Sequence, residues 1–356
     1  MKIIITSPSL NTNHNVSGMS SVTNFIIGCN TGHKYVHFRL GKKDEETRNL
    51  AWALRTLRAY IKWGQVLIGN PGTVIHFNVA LDKRALVRDS PLIWTARLLR
   101  KRMIVHLHGG EIFTNTDIPR WLNFLLKLSL GGNNPKLVSS AGEKAVLSQK
   151  IPADNIFILP NCIALNEAAA FDRKYPQDKL LIILFLGRIS RSKGIDDIYQ
   201  ALSSLQERGN EFTFMMAGKG PDEKHYISKF QDLLGDRFEF KGVVSGDQKT
   251  DLLKSCNVFL LPSLFEGLPM ALLETMSFGL VPIVTNVGSI GHVVTDRDNG
   301  MIVSINSPDQ IVLAMEKLLQ NGQYMQQLSR NARRYIFENF SPDTYLHRLN
   351  ALYQYE

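Results

Sequence analysis

The strongest constraint on this chain is its rhythm: short apolar runs alternate with stretches of helical period along its whole length. Runs at 2–6, 34–38, 73–77, 102–107, 136–139 and 156–159 occupy the first half, and runs at 180–186, 212–217, 237–241, 257–261, 281–284 and 301–303 the second. Between them the apolar spacing predicts helices at 18–28, 47–63, 91–100, 118–129, 194–207, 222–233, 247–254, 269–278, 308–319 and 323–337. A strand covered on both faces reads as an unbroken apolar run, and strands separated by helices pair in parallel. The expected fold class is therefore α/β, with two doubly wound, Rossmann-like parallel-sheet domains. Residues 164–178, polar, alanine-rich and containing Pro176, interrupt the pattern. That places a first domain at 1–165, a linker at 166–178 and a second domain at 179–338. Ligands of such folds bind outside the carboxyl ends of the strands, so a cleft between the two domains is expected to hold the site.

With 356 residues, 44% of them hydrophobic, the chain can fill two cores. No apolar run approaches the roughly 20 residues that span a bilayer, and the N-terminal Met1-Lys2-Ile3-Ile4-Ile5-Thr6 is too short for a signal sequence. Cys29, Cys162 and Cys256 show neither paired count nor CxxC spacing, so no disulfide framework or zinc site is expected and a cytosolic setting fits. The net charge of +9 is uneven: residues 1–170 carry 21 Lys and Arg against 10 Asp and Glu, the remainder 20 against 22. Within the basic half, Leu50, Ala53, Leu54, Leu57 and Ile61 fall at helical spacing, with Arg48, Arg55, Arg58 and Lys62 on other faces. Arg97, Arg100, Lys101 and Arg102 end another predicted helix. Such clusters are either solvated helix ends or contacts to anionic lipid headgroups or a phosphate-bearing acceptor. Nucleic acid is not expected, because no aromatic residues interleave the cations.

Chemistry concentrates after the strands. Glu266 and Glu274 lie on either side of Gly267-Leu268-Pro269-Met270, where Pro269 opens a predicted helix and the preceding amides face the positive end of its dipole. Anionic oxygens suit those amides and sugar hydroxyls suit the carboxylates, which makes a candidate nucleotide-sugar site. The turn Gly187-Arg188…Lys193-Gly194 places two cations beside a strand end, able to clamp a diphosphate or to serve as ordinary turn chemistry. Gly218 sits in another glycine-rich turn. In the first half, His106 and His108 share one strand face ahead of Gly109-Gly110, with His108 nearer the strand end. Gly18, after Ser17, starts a helix that either approaches a phosphate or is simply capped. Asp296-Arg297-Asp298 reads as a polar turn, so no metal site is expected. No G-x-G-x-x-G follows the first strand, which argues against a dinucleotide enzyme.

Taken together, the Glu266-x7-Glu274 spacing, the Gly187-Arg188…Lys193-Gly194 turn, Ala217-Gly218-Lys219-Gly220-Pro221, Leu159-Pro160-Asn161 and the His108 strand end resemble the retaining glycosyltransferases of family 4, which have the GT-B fold. The resemblance spans most of the chain and is strongest over 180–305. It implies that Arg188 and Lys193 hold the donor diphosphate, Glu274 the ribose, and Glu266 with the amides of Gly267, Leu268, Pro269 and Met270 the transferred hexose. Gly187 and Gly218 would shape the donor site, Gly18 would approach the phosphates and His108 would line the sugar pocket. Glu266, His108, Arg188 and Lys193 are the expected catalytic group. The implied reaction moves a hexose or N-acetylhexosamine from a nucleotide sugar, a UDP-sugar, with no cofactor and no metal. The expected acceptor is a saccharide on a lipid diphosphate such as undecaprenyl diphosphate, in bacterial surface-polysaccharide assembly at the inner face of the membrane. A phosphorylase or epimerase on the same fold is the nearest alternative, and a nucleotide- or nucleic-acid-binding protein without transfer activity is the alternative from another class. The resemblance further implies that the last segment, 339–356, packs back on the first domain. Three positions depart from the family: Ser17-Gly18-Met19 stands where paired glycines are common, Asn161-Cys162 where Asn-Gly is, and His292 where a glutamate often follows a Gly-Gly turn.

Overall fold

A computed structural model describes residues 1–11, 14, 15, 17–41, 46, 49–114, 118–173 and 180–355. The chain divides into two compact units, Met1–Asn161 with Pro342–Glu356, and Cys162–Ser341. In the first unit the order is β1 (Lys2–Ser7), α1 (Gly18–Cys29), β2 (Lys34–Arg39), α2 (Leu50–Ile68), β3 (Val74–Val79), α3 (Lys83–Leu98), β4 (Met103–Leu107), α4 (Glu111–Thr114), α5 (Arg120–Leu130), β5 (Lys136–Val138), α6 (Ala141–Ser148) and β6 (Ile156–Ile158). The second unit runs α7 (Asn166–Ala169), β7 (Leu181–Leu186), α8 (Ile195–Glu207), β8 (Phe212–Ala217), α9 (Glu223–Leu234), β9 (Phe238–Gly242), α10 (Gly246–Ser255), β10 (Val258–Leu261), α11 (Met270–Ser277), β11 (Val281–Thr285), β12 (Met301–Val303), α12 (Pro308–Gln320) and α13 (Gly322–Asn339). The last helix, α14 (Pro342–Tyr353), returns to the first unit.

Each unit holds one six-stranded sheet, in the orders β2-β1-β3-β4-β5-β6 and β12-β11-β10-β7-β8-β9. All pairings between these strands are parallel. The twelve expected strands are therefore present, each within about two residues of its predicted bounds. Buried residues such as Ile3, Ile4 and Ile5 in β1, and Ile183, Leu184 and Phe185 in β7, show why: neither face of these strands meets water. In both sheets the first strand lies inside, with later strands added to both sides. The order reverses between β1 and β3 in one unit and between β7 and β10 in the other, which opens a crevice at the carboxyl ends there.

The helices add three findings to the expected pattern. The apolar stripe of α2 does not face the core: Leu50, Leu54, Leu57 and Ile61 are exposed, whereas Trp63 and Leu67 are buried on another face. A helix with two apolar stripes cannot be oriented from periodicity alone, and the bulky indole took the interior. Arg48, assigned to this helix, lies outside the described residues. Helix α3 starts eight residues before the predicted 91, because Asp82 accepts from the Ala85 amide at 2.7 Å and caps it. Pro91 consequently sits inside the helix instead of opening it. Helix α6 was not expected, yet Ser140-x-x-Glu143 has the capping-box spacing: Ser140 Oγ accepts from the Glu143 amide at 3.2 Å, and Glu143 Oε2 reaches back past the N-cap to accept from the Ser139 amide at 2.7 Å.

Of the stretch read as a linker, residues 174–178 lie outside the described ones. The part before them is held within the second unit: Arg173 donates to the carbonyls of Phe278, Cys256 and Leu253, and Arg333 donates to those of Phe171 and Ala168. Helix α14 buries Tyr345, Leu349 and Tyr353 in the first unit. No described helix is long and apolar enough to cross a membrane.

Candidate functional site

The crevice between β7 and β10 holds the densest convergence of predicted residues. Residues 191–193 form a single 3-10 turn after β7, and Gly194, at φ 70°, carries the chain from it into α8. A Cβ at Gly194 would lie 2.0 Å from the Pro262 carbonyl oxygen, so only glycine lets this turn pack on the β10 loop. The Leu264 amide, donating to the Ser192 carbonyl at 2.9 Å, fastens the two loops together. The consequence is a direct contact between two predicted residues 73 positions apart: Lys193 Nζ lies 2.6 Å from Glu266 Oε1. Ser263 Oγ donates to the same oxygen at 2.8 Å. The Glu266 and Lys193 side chains are only 9% and 19% exposed, which confines the charge pair to the mouth of the crevice.

Glu266 is aimed by its backbone. Gly288, at φ 59°, brings the loop after β11 so close that a Cβ there would meet the Glu266 carbonyl oxygen at 2.0 Å, and the Ser289 amide donates to the Gly267 carbonyl at 2.9 Å. Gly187 and Gly218 form a similar close pair: Gly218, at φ 135°, would bear a Cβ 1.8 Å from the Gly187 carbonyl oxygen. Arg188 follows directly and is exposed.

Helix α11 begins at Met270, with Pro269 in the extended N-cap position and no side chain capping it. Pro269 therefore precedes the helix, where it was expected inside its first turn. Having no N–H, it cannot supply one of the four donors expected from residues 267–270; the amides there are those of Gly267, Leu268 and Met270. Leu268 and Met270 are buried. Glu274, a little over one turn in, meets Lys249 Nζ of α10 at 2.8 Å. Lys249 and Ser263 were missed in the sequence. Nothing local marks Lys249, 25 positions from its partner, whereas Ser263 directly follows the β10 strand end.

In the first unit, β3 and β4 pair with Asn78 opposite His106, so His76, Asn78, His106 and His108 share one face. Asn78 Nδ2 donates to the Thr6 carbonyl at 2.7 Å, leaving its Oδ1 to accept from His108 Nε2 at 2.6 Å. That fixes the proton of His108 on Nε2 and its lone pair on Nδ1. Burial pushes His108 and His76 down to about 3, and His106 well below its usual range, so all three rings are neutral near pH 7. His76 Nδ1 lies 2.7 Å from the Tyr353 hydroxyl and its Nε2 3.1 Å from His106 Nδ1. The H-x-N spacing in β3, matched to H-x-H in β4, was the available signal for Asn78 and His76. Gly18 is the first residue of α1; Ser17 caps the helix, accepting from the Ser20 amide at 3.2 Å, and a Cβ at Gly18 would meet nothing within 4 Å. Among the described residues, no group of three or more His, Cys, Asp or Glu is placed to hold a metal.

Residues 167–335 match the family described as Glycosyl transferases group 1. An uncharacterized glycosyltransferase of Methanocaldococcus jannaschii is 31% identical over 169 residues, 47% of this chain and 43% of that relative. Alpha-D-kanosaminyltransferase of Streptomyces kanamyceticus is 26% identical over 166 residues, 46% and 43% of the two chains. These alignments thus span less than half of either relative. Over the whole chain, HepE of Anabaena, solved in complex with UDP-glucose, superposes with a TM-score of 0.77 at 15% identity, covering 99% of this chain and 98% of that one. Sucrose-phosphate synthase of Thermosynechococcus elongatus gives 0.77 at 18% identity with the same coverage. Residues 167–335 therefore match the group 1 glycosyl transferases, and the chain that carries them has the GT-B fold, with two six-stranded parallel α/β units.

Proposed function

We propose that this chain is a retaining glycosyltransferase that moves a hexose or N-acetylhexosamine from a UDP-sugar to a saccharide acceptor. The observation that carries the reading is the Lys193–Glu266 contact at the strand-order reversal, inside the segment that matches the family. In a nucleotide sugar the diphosphate and the sugar ring are joined at one oxygen. A cation for the first and a carboxylate for the second must therefore stand side by side, as these two do. HepE, on the same fold, binds UDP-glucose, which supports UDP as the donor nucleotide.

In this reading Arg188, Lys193 and the amides of Gly267, Leu268 and Met270 face the charge that develops on the departing diphosphate, and such preorganised donors supply the largest catalytic contribution. The side chains provide that charge stabilisation without a metal. Glu266 holds hydroxyls of the transferred sugar and offsets its oxocarbenium charge. Glu274 accepts from the ribose once Lys249 gives way. Gly187 and Gly218 keep the floor of the site free of side chains. Gly18 leaves the start of α1 open to a phosphate, by analogy with the family. His108, neutral and donating through Nε2, serves as a hydrogen-bonding group for the sugar and not as a cation.

The acceptor belongs to the first unit and is carried on a lipid diphosphate, in polysaccharide assembly at an anionic membrane surface. The exposed Leu50, Leu54, Leu57 and Ile61 of α2, flanked by Arg55, Arg58 and Lys62, support this. Incubation with a panel of nucleotide sugars, scored by release of nucleoside diphosphate, tests the donor half. Release from no member of the panel would remove the transfer reading. Co-sedimentation with anionic vesicles at low salt tests the membrane half, and absence of binding there would point to a soluble acceptor.

A further inference from the structure

Between β2 and α2 of the first unit lies a cavity of about 590 Å³, well within the size range of small-molecule sites. Its lining includes Arg39, Arg55, Arg58, Lys62 and Arg88. Two of these are already neutralised. Arg88 forms a paired contact with the fully buried Asp89 at 2.6 and 2.7 Å, and Arg55 is ion-paired with Glu46. Arg39, Arg58 and Lys62 have no acidic partner among the described residues, and all three are exposed at the cavity. His37 in the same wall is held neutral, its pKa lowered chiefly by burial, and its Nε2 lies 2.9 Å from Ser7 Oγ. Trp52 and Tyr60 contribute apolar ring faces, with the Tyr60 hydroxyl committed to the Arg88 carbonyl at 2.9 Å. Among the described residues the cavity therefore has three unmatched cations and no unmatched anion, a charge balance that selects a ligand of at least two negative charges.

The position of the cavity on α2 says what that charge is attached to. At 100° per residue, Leu50, Leu54, Leu57, Ile61 and Ile68 fall within about 60° of one another around the helix. Arg58, Lys62 and Arg55 come next round the same side, and the cavity-lining Thr56, Ala59 and Val66 follow. The apolar row is solvent-exposed, from 49% at Leu54 to 76% at Leu50. Around one helix the surface therefore changes from apolar, to cationic, to a walled cavity. Free phosphate would make no use of the first of these; an amphiphile with an anionic head would use all three.

We infer that this cavity binds the diphosphate head of an amphiphile, with the hydrocarbon running over Leu54, Leu57 and Ile61. The inference deepens the acceptor reading above and rests on it only in naming that amphiphile as the acceptor. Diphosphate binding is tested first, by titrating inorganic pyrophosphate into the full chain and following tryptophan fluorescence. Quenching is expected, and it should be lost in Trp52→Phe. The double variant Arg58→Ala/Lys62→Ala should bind pyrophosphate about tenfold more weakly or worse, with an unchanged melting temperature, whereas the exposed-cation control Lys127→Ala should match wild type. No quenching, or equal weakening in the control, overturns the site. Vesicles carrying a prenyl diphosphate, compared with phosphatidylglycerol vesicles of equal charge, then separate the sources. A preference for the former that disappears in the double variant supports the amphiphile; pyrophosphate binding with no vesicle preference assigns the cavity to free diphosphate and overturns the lipid part. Release of nucleoside diphosphate from nucleotide sugars is measured separately, so failure of the transfer reading shows up independently of the cavity.

Discussion

Replacing Glu266 by glutamine should tighten UDP binding while lowering sugar transfer. Lys193 is satisfied by Glu266 at 2.6 Å, so an incoming diphosphate must displace a carboxylate that then stays nearby. Two unit charges at roughly 5 Å, with an effective dielectric of about 20, repel by about 3 kcal/mol. Salt and local rearrangement reduce that to about 1–2 kcal/mol. Glutamine removes the repulsion and still accepts from Ser263 Oγ, so the Kd for UDP should fall about 5- to 30-fold. Lys193→Met should act in the opposite direction, losing a charge-assisted contact of about 1.5–3 kcal/mol and weakening UDP about 10- to 100-fold. Calorimetry with UDP, beside UDP release from the preferred UDP-sugar, reads both effects. If Glu266→Gln weakens UDP as much as Lys193→Met does, the pair is a structural strut between loops and the assignment of the two side chains to separate parts of the donor is wrong.

Other expected outcomes follow from the same geometry. Gly218→Ala would set a Cβ 1.8 Å from the Gly187 carbonyl oxygen at a φ of 135°, and should cost more than about 3 kcal/mol in urea unfolding; a loss under about 1 kcal/mol would mean this turn is not the rigid floor described. Lys249→Ala should free Glu274 and change affinity for UDP but not for inorganic pyrophosphate, since the ribose is the part of the donor Glu274 is assigned; equal changes for both would place Glu274 elsewhere. His76 and His108 have folded-state pKa values near 3, below the unfolded value near 6.5, so the stability they confer is present above about pH 6.5 and lost as pH falls towards 3. Between pH 7 and pH 5 the fully buried His76 should account for about 2 kcal/mol of that loss, and His76→Phe should flatten the slope of stability against pH; an unchanged slope would contradict its burial as a neutral ring. Tyr353→Ala should destabilise the first unit by about 3–5 kcal/mol, because its ring is buried and its hydroxyl meets His76; a normal melting transition would show that α14 is dispensable.

The strands were legible because their signal is local: a run such as Leu181–Leu186 leaves no polar face for any other use. The turn glycines were legible for a similar reason, since Gly187, Gly194 and Gly218 follow strand ends and mark turns. What the two carboxylates touch was not legible. Glu266 and Glu274 were found as a spacing, but their cations, Lys193 and Lys249, arrive 73 and 25 positions away through the order of the sheet and the packing of α10. The face that α2 buries was not legible, because Trp63 competes with a more regular leucine stripe and burial went to the larger ring. The cavity beside α2 had no sequence signal beyond an excess of cations, because its walls come from β2, α2 and α3 together. Pro269 shows how a well-placed helix start can carry a wrong detail: the helix starts where expected to within one residue, yet the residue that marks its start contributes no donor.

Whether the crevice between β7 and β10 holds a nucleotide sugar is decided by titrating UDP-glucose into wild type, Arg188→Ala and Glu274→Ala. Wild type should bind, and the Kd should rise about tenfold or more in each variant, with no change in melting temperature. Equal affinity in all three proteins, or binding of no nucleotide sugar to wild type, would contradict it.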